Sequence, residues 1–279
     1  MPDRISRGAR QLRTSAPDLL PARRRETKPQ RFKRRTRDLI PAPELDVPWA
    51  RSRPAGATRE AVLRFVLDPL LRFYTRRRTT GRKKLTRLKA PVILVANHVS
   101  HLDTPVILAA LPRRMRKRTV VAAATDYFYR NRLVASAVSL IFNTVPLDRK
   151  GGGLEKESAG HLDGLIDKGW NLLMFPEGTR SRSGGTGRLR RGAAVLAVRH
   201  HVSIIPVRIT GTNEAMPPGR FWPTRGRSGN GHKRHRVSIS FGDPIAPTED
   251  VSVVTETVRH YFEGAKELVS SSRRADSGS

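Results

Sequence analysis

Pro91-Val92-Ile93-Leu94-Val95-Ala96-Asn97-His98-Val99-Ser100-His101-Leu102-Asp103 is the stretch on which the reading of this chain turns. Its apolar, β-branched opening predicts a buried strand over 91–96. It closes on a histidine and a carboxylate five positions apart. On a straight helix that spacing would hold the two side chains about 140° apart. On a turn leaving a strand, with Asp103 opening the next helix, they can fold back and hydrogen-bond. A carboxylate on one imidazole nitrogen fixes the tautomer and leaves the other nitrogen free to take a proton. His98 and Asp103 then form a candidate general base at the carboxyl end of a strand, where open α/β sheets place ligands. Such a pair also arises by chance in a chain with eight histidines.

Outward from this stretch, strand-like and helix-like runs alternate. Strands are predicted at 119–124, 143–147, 171–175, 203–210 and 236–241. Helices are predicted at 104–111, 131–142, 154–168 and 192–200. Alternation of this kind predicts an α/β fold, with a mixed, largely parallel sheet flanked by helices. The last strand alternates apolar and polar residues, which suits a sheet face open to water. Residues 213–234 are rich in Pro, Gly and Arg and read as a long surface loop. No internal repeat is visible.

Composition sets bounds. The chain has 279 residues, and 54 Lys and Arg against 24 Asp and Glu give a formal charge of +30. That balance favours polyanions: nucleic acid, an anionic membrane surface or phosphorylated substrates. No cysteine is present, which excludes disulfides, thiolate metal sites and a cysteine nucleophile. The basic N-terminus lacks the apolar region of a signal peptide, and no apolar run reaches the length of a membrane span. Any membrane contact is expected to be peripheral, with the protein cytoplasmic and on the inner face of the membrane.

Residues 1–56 are expected to be a disordered basic tail, an electrostatic anchor for acidic lipid or merely a solvated segment. A folded domain is expected over 57–264, and a second disordered tail over 265–279. Within the domain, 57–84 reads as a helical, membrane-proximal segment. Arg64, Asp68 and Arg72 make a polar stripe on an otherwise apolar, amphipathic N-terminal helix. Pro69 should break or kink that helix, with Asp68 able to cap a second one. Its wide apolar face suits burial in the core or in a bilayer interface. The following basic clusters, Arg76-Arg77-Arg78 and Arg82-Lys83-Lys84, favour the interface.

A second candidate site follows the predicted strand 171–175. Pro176 ends the ladder, Gly178 permits close backbone approach, Thr179 and Ser181 supply hydroxyls, and Arg180 presents a fixed fork of donors. This suits an oxyanion such as phosphate; it equally suits an ordinary strand-to-loop turn with a surface arginine. A third segment, Phe142 to Arg149, ends a strand in an arginine that Asp148 could pair. In a fourth, Val202 to Val207, Pro206 needs a sheet edge or a bulge.

These four segments, in this order, resemble the glycerolipid acyltransferases, the 1-acylglycerol-3-phosphate (lysophospholipid) acyltransferase family. His98 and Asp103 match the family's first block. Phe175-Pro176-Glu177-Gly178-Thr179-Arg180-Ser181 matches the third without a departure, and Ile204-Ile205-Pro206 matches the fourth. In the second block Arg149 matches, but Asn143 stands where a glycine is usual. The resemblance covers roughly residues 57–245. It implies transfer of an acyl group from an acyl-CoA or acyl-carrier-protein thioester to a hydroxyl of a lysophospholipid, lysophosphatidate above all, giving phosphatidate. It implies that Arg149, Glu177, Gly178, Thr179 and Arg180 hold the acceptor's phosphoglycerol head. No bound cofactor and no metal are expected. The residue chemistry is compatible, since a hydroxyl attacks only once a base such as His98 removes its proton. No Gly-x-Ser-x-Gly elbow occurs, so direct transfer without an acyl-enzyme is expected.

Three other classes compete. A hydrolase could use the same pair to activate water, though water needs no phosphate clamp. A polyanion-binding protein would explain the charge, but aromatics are only 6% and no stacking motif or zinc finger accompanies them, so no specific nucleic acid is expected. An inactive, membrane-binding relative would not need the intact His98 and Asp103.

Overall fold

The computed structural model describes residues 46–124, 132–147, 156–177, 189–217, 219–220, 222–228 and 231–276. In chain order these form α1 (Arg53–Val62), a π-helical turn (Leu63–Leu67), α2 (Asp68–Tyr74), β1 (Thr75–Thr80), α3 (Arg82–Leu85), β2 (Ile93–Ala96) and α4 (Asp103–Ala110). Next come α5 (Arg113–Arg116), β3 (Thr119–Ala124), α6 (Arg132–Phe142), β4 (Thr144–Leu147), α7 (Lys156–Asp167) and β5 (Asn171–Met174). The remainder is α8 (Gly192–Arg199), β6 (Ile204–Thr210), α9 (Thr212–Ala215), β7 (Gly226–Ser228), β8 (Gly231–Lys233), β9 (His235–Phe241) and α10 (Val251–Asp276).

The main sheet has seven strands in the order β1-β9-β6-β2-β5-β3-β4. From β6 to β4 every pairing is parallel; β9 runs antiparallel to β6, and β1 runs parallel to β9. The sheet is therefore mixed and largely parallel, as the alternating sequence requires. Its central strands are apolar on both faces because helices cover both. Leu94 and Ala96 of β2 face one cluster with Val106, Ile107, Val207 and Ile239. Ile93 and Val95 face the other, with Leu162 and Leu165 of α7, Leu196 of α8 and Val258 of α10. Ile93, Leu94 and Val95 are at most 1% exposed, and burying such a side chain contributes about 1.5–3 kcal/mol. On β9 only Val237, Ile239 and Phe241 are buried, while Arg236 and Ser238 face water, which accounts for its alternating pattern.

The boundaries differ from expectation in several places. The basic tail expected over 1–56 is folded from Pro48 onward. Ala50 is fully buried, and Asp46 pairs with Arg51. The Ser52 hydroxyl accepts from Ala55 N at 3.4 Å to cap α1. The helical segment expected over 57–84 is interrupted by β1, so Arg76, Arg77 and Arg78 lie on an edge strand. Asp68 does not cap α2; its carboxylate accepts from Arg72 and Arg77. The tail expected over 265–279 is helical to Asp276. The expected loop 213–234 carries a small antiparallel ladder, β7 with β8.

Pro206 sits on neither edge of the sheet. It stands where the pairing of β6 passes from an isolated bridge, Ile204 with Ile245, to the β9 ladder that begins at Val207 and Phe241. Its missing N–H falls in that gap, and its carbonyl accepts from Gly242 N at 2.8 Å.

Candidate active site

The strands β5, β2 and β6 are adjacent and parallel, so the segments leaving their carboxyl ends converge. These are the turn Asn97–Leu102 after β2, the turn Phe175–Glu177 after β5, and Gly211–Thr212 after β6. Parallel short strands with crossover helices place three loops together here although they are far apart in sequence.

Asn97 fixes the first turn against β6. Its Nδ2 donates to Ile209 O at 2.9 Å, and its Oδ1 accepts from Ile209 N at 2.8 Å. The side chain thus replaces the backbone pairing that β2 gives up when it turns. His98 follows, with Nδ1 2.9 Å from Asp103 Oδ2. Asp103 is fully buried in the first turn of α4, where the helix dipole favours a negative charge. Oδ2 also accepts from Val99 N and Ser100 N, each at 2.7 Å, and Oδ1 accepts from Thr212 Oγ1 at 2.5 Å. Ser100 Oγ donates to Met216 O at 2.8 Å and accepts from Leu102 N at 3.2 Å.

These bonds set the chemistry. A carboxylate only accepts, so His98 donates from Nδ1–H and Nε2 carries the lone pair. The side chain of His98 is 19% exposed, enough for Nε2 to meet a reacting hydroxyl. The Phe175 ring packs on the imidazole with centroids 4.4 Å apart and planes tilted by 32°. It blocks one face of the ring and leaves the in-plane lone pair clear.

Of the residues expected at the site, His98 and Asp103 are brought into contact. Glu177 is half-buried in the turn after β5, two positions beyond the phenylalanine that packs on His98. Arg149, Gly178, Thr179 and Arg180 lie outside the described residues. Thr212, Ser100 and Phe175 were not singled out by the sequence as partners of the pair. Thr212 is more than a hundred positions from Asp103 and follows an unremarked Thr-Gly. That glycine is required. Gly211 has φ +83°, and a Cβ there would stand 2.0 Å from Arg236 O.

A largely parallel sheet thus carries the contact between His98 and the buried Asp103 at the ends of its central strands. Residues 76–210 match the family model described as Acyltransferase. A chloroplastic 1-acyl-sn-glycerol-3-phosphate acyltransferase of Arabidopsis thaliana is 30% identical over 139 residues, 50% of this chain and 37% of that one. A Mycoplasma genitalium protein named "Probable 1-acyl-sn-glycerol-3-phosphate acyltransferase" is 31% identical over 161 residues, 57% of this chain and 58% of that one. The chain thus spans little more than half, at most, of the length of these two relatives. The crystal structure of the 1-acyl-sn-glycerophosphate acyltransferase PlsC from Thermotoga maritima superposes with a TM-score of 0.51 at 21% identity. It covers 74% of this chain and 82% of that one, and supports the fold.

Proposed function

We propose that this chain moves an acyl group from an acyl thioester to a hydroxyl of a lysophospholipid, lysophosphatidate in the first instance, giving phosphatidate. The observation that carries the reading is the imidazole of His98, held at Nδ1 by a fully buried carboxylate within the segment that matches the acyltransferase family model. His98 Nε2 takes the proton of the acceptor hydroxyl as its oxygen attacks the thioester carbonyl. The tetrahedral intermediate collapses, the carbon–sulfur bond breaks, and the imidazolium returns the proton to the leaving thiolate. Asp103 holds the ring in register and stabilises the imidazolium.

Arg149, Glu177, Gly178, Thr179 and Arg180 would hold the acceptor phosphate, and the block from Phe175 to Ser181 supports that role. Holding the headgroup would fix the hydroxyl beside His98, from which much of the rate arises. The donor is acyl-CoA or acyl-carrier protein, used as a co-substrate; the reading calls for no resident cofactor or metal. The enzyme would work peripherally at an anionic membrane surface, on the cytoplasmic face. Its charge of +30 supports this, and no described helix is long and apolar enough to cross a membrane.

The test is transfer of a labelled acyl chain from acyl-CoA and from acyl-carrier protein to lysophosphatidate, glycerol 3-phosphate and lysophosphatidylcholine. Lysophosphatidate is expected to be labelled fastest, with His98→Ala slowing transfer by about 10²–10⁴-fold. Near-normal transfer by His98→Ala would refute the mechanism. Loss of thioester without labelled acceptor would identify a hydrolase instead.

A further inference from the structure

A cavity of about 440 Å³ opens between α2, β1, α4 and the start of β9, and neither His98 nor Asp103 lines it. Its floor is apolar, from Val106 and Ala110 of α4 and Ile239 of β9. Its rim carries Arg72, Arg76, Arg77, Arg82 and Arg234. The carboxylate among the described lining residues is Asp68, which already accepts from Arg72 Nε at 2.8 Å and Arg77 Nη2 at 2.5 Å. Arg76, Arg82 and Arg234 are exposed and have no carboxylate partner among the described residues.

The surface beside this cavity is apolar. Phe65, Val66, Phe73 and Trp222 are 72%, 57%, 54% and 61% exposed. Contacts join Phe73 and Trp222 to the segments around the cavity, and Phe65 and Val66 lie on the π-helical turn that runs into α2. Trp222 Nε1 donates to Tyr74 Oη at 3.0 Å, the Arg225 guanidinium stands 5.0 Å from the Phe73 ring centre, and Arg234 Nη1 donates to Arg72 O at 3.4 Å. Phe73 and Trp222 therefore lie beside the basic cavity, where α2, β1 and residues 222–234 meet, and Phe65 and Val66 are exposed on the turn that leads into α2.

Arginines alone would suit any polyanion, and exposed apolar groups any apolar partner. Side by side they suit a surface that is itself amphiphilic. Phosphates of an anionic bilayer attract the arginines, and the interface accepts Trp, Phe and aliphatic side chains at the same depth. A nucleic acid would leave Phe65 and Val66 facing water. We propose that this cavity is a headgroup site for an anionic membrane phospholipid, with Phe65, Val66, Phe73 and Trp222 inserting into the interface beside it. The inference deepens the membrane contact in the proposed function and rests on it. It also gives the tertiary structure, rather than the basic N-terminal segment, a specific part in docking.

The experiment is flotation of the full chain with vesicles of phosphatidylcholine, alone or mixed with phosphatidylglycerol. No acyl donor is present, so the result is independent of whether acyl transfer occurs. The variant Arg76→Gln/Arg82→Gln/Arg234→Gln is compared with Arg114→Gln/Lys117→Gln/Lys168→Gln, which removes equal charge from exposed positions outside the cavity lining. Thermal unfolding first establishes that both are folded. With about fivefold affinity per basic contact, the cavity variant should bind mixed vesicles at least tenfold more weakly, and the control within about twofold of wild type. Ala110→Trp, which fills the cavity without changing charge, and Phe73→Ser/Trp222→Ser should each also weaken binding. Equal losses in the cavity variant and the control would reduce the contact to diffuse charge attraction and overturn the site. So would full binding by Ala110→Trp, or equal binding of the wild type to phosphatidylcholine alone.

Discussion

Asp103 takes four donors on two oxygens: His98, two backbone amides and Thr212. Only the first of these follows from reading 91–103 as a motif. The amides could have been foreseen from the turn, because a carboxylate at a helix start commonly accepts from nearby N–H groups. Thr212 could not, because β6 and the left-handed Gly211 deliver it. Thr212→Val should leave Asp103 Oδ1 without its donor in a buried site, costing about 1–3 kcal/mol of stability. If Thr212 also positions the pair, kcat for acyl transfer should fall about tenfold or more with KM little changed. Thr212→Ser should restore kcat, since it keeps the hydroxyl. A Val variant with lowered stability but unaltered kcat would make Thr212 merely structural.

At the scale of the element, the join between α6 and β4 explains a departure from the family pattern. Asn143 has φ +54°, the left-handed region that glycine enters without strain and asparagine enters more readily than most residues. It ends α6 by donating from its N–H to Ser139 O at 2.8 Å, and its Nδ2 donates to Thr119 O at 2.8 Å. The asparagine thus keeps the conformation a glycine would supply and adds a tie to β3. Asn143→Ala should cost about 2 kcal/mol, from left-handed strain and a lost hydrogen bond; Asn143→Gly should cost only about 1 kcal/mol. Urea unfolding of the two variants checks the order, and an alanine variant as stable as wild type would contradict it.

For the whole molecule, acid stability depends on ties between distant parts. Asp46, before α1, accepts from Arg51 and lies 3.5 Å from Nε2 of His161 on α7. Burial alone would raise its pKa, but the nearby His161 imidazole and the hydrogen-bonded Arg51 guanidinium outweigh it and hold the carboxyl at about 2, against 3.8 for a free one. A depressed carboxylate stabilises the fold fully above its unfolded pKa and loses that contribution as pH falls through the folded value. Asp46 should therefore contribute about 2 kcal/mol at neutral pH, lost between about pH 4 and pH 2. Asp46→Asn should be less stable than wild type near neutrality, with the gap closing in acid. A gap independent of pH, followed by chemical denaturation, would rule out this linkage.

The buried strands and covering helices were legible because their order is local. Apolar, β-branched runs such as Ile93–Val95 and Ile204–Val207 can be satisfied only between covered faces, and the turn residues after them mark the ends. The pairing of His98 with Asp103 was legible for the same reason, since five residues of turn bring the two together. By itself the sequence therefore determined the class of fold and the contact between His98 and Asp103. It did not determine β1. Thr75-Arg-Arg-Arg-Thr-Thr has no strand pattern, and only Thr75 is buried. It becomes a strand because β9 presents an unpaired edge whose amides and carbonyls need partners. Likewise Pro206 tolerates an interior strand only because the β9 ladder begins one residue later. Thr212 reaches Asp103, and Arg234 reaches the cavity rim beside β1, through contacts between segments more than a hundred residues apart. Such contacts depend on how the elements pack, so no local pattern of residues records them, and only the tertiary structure decided them.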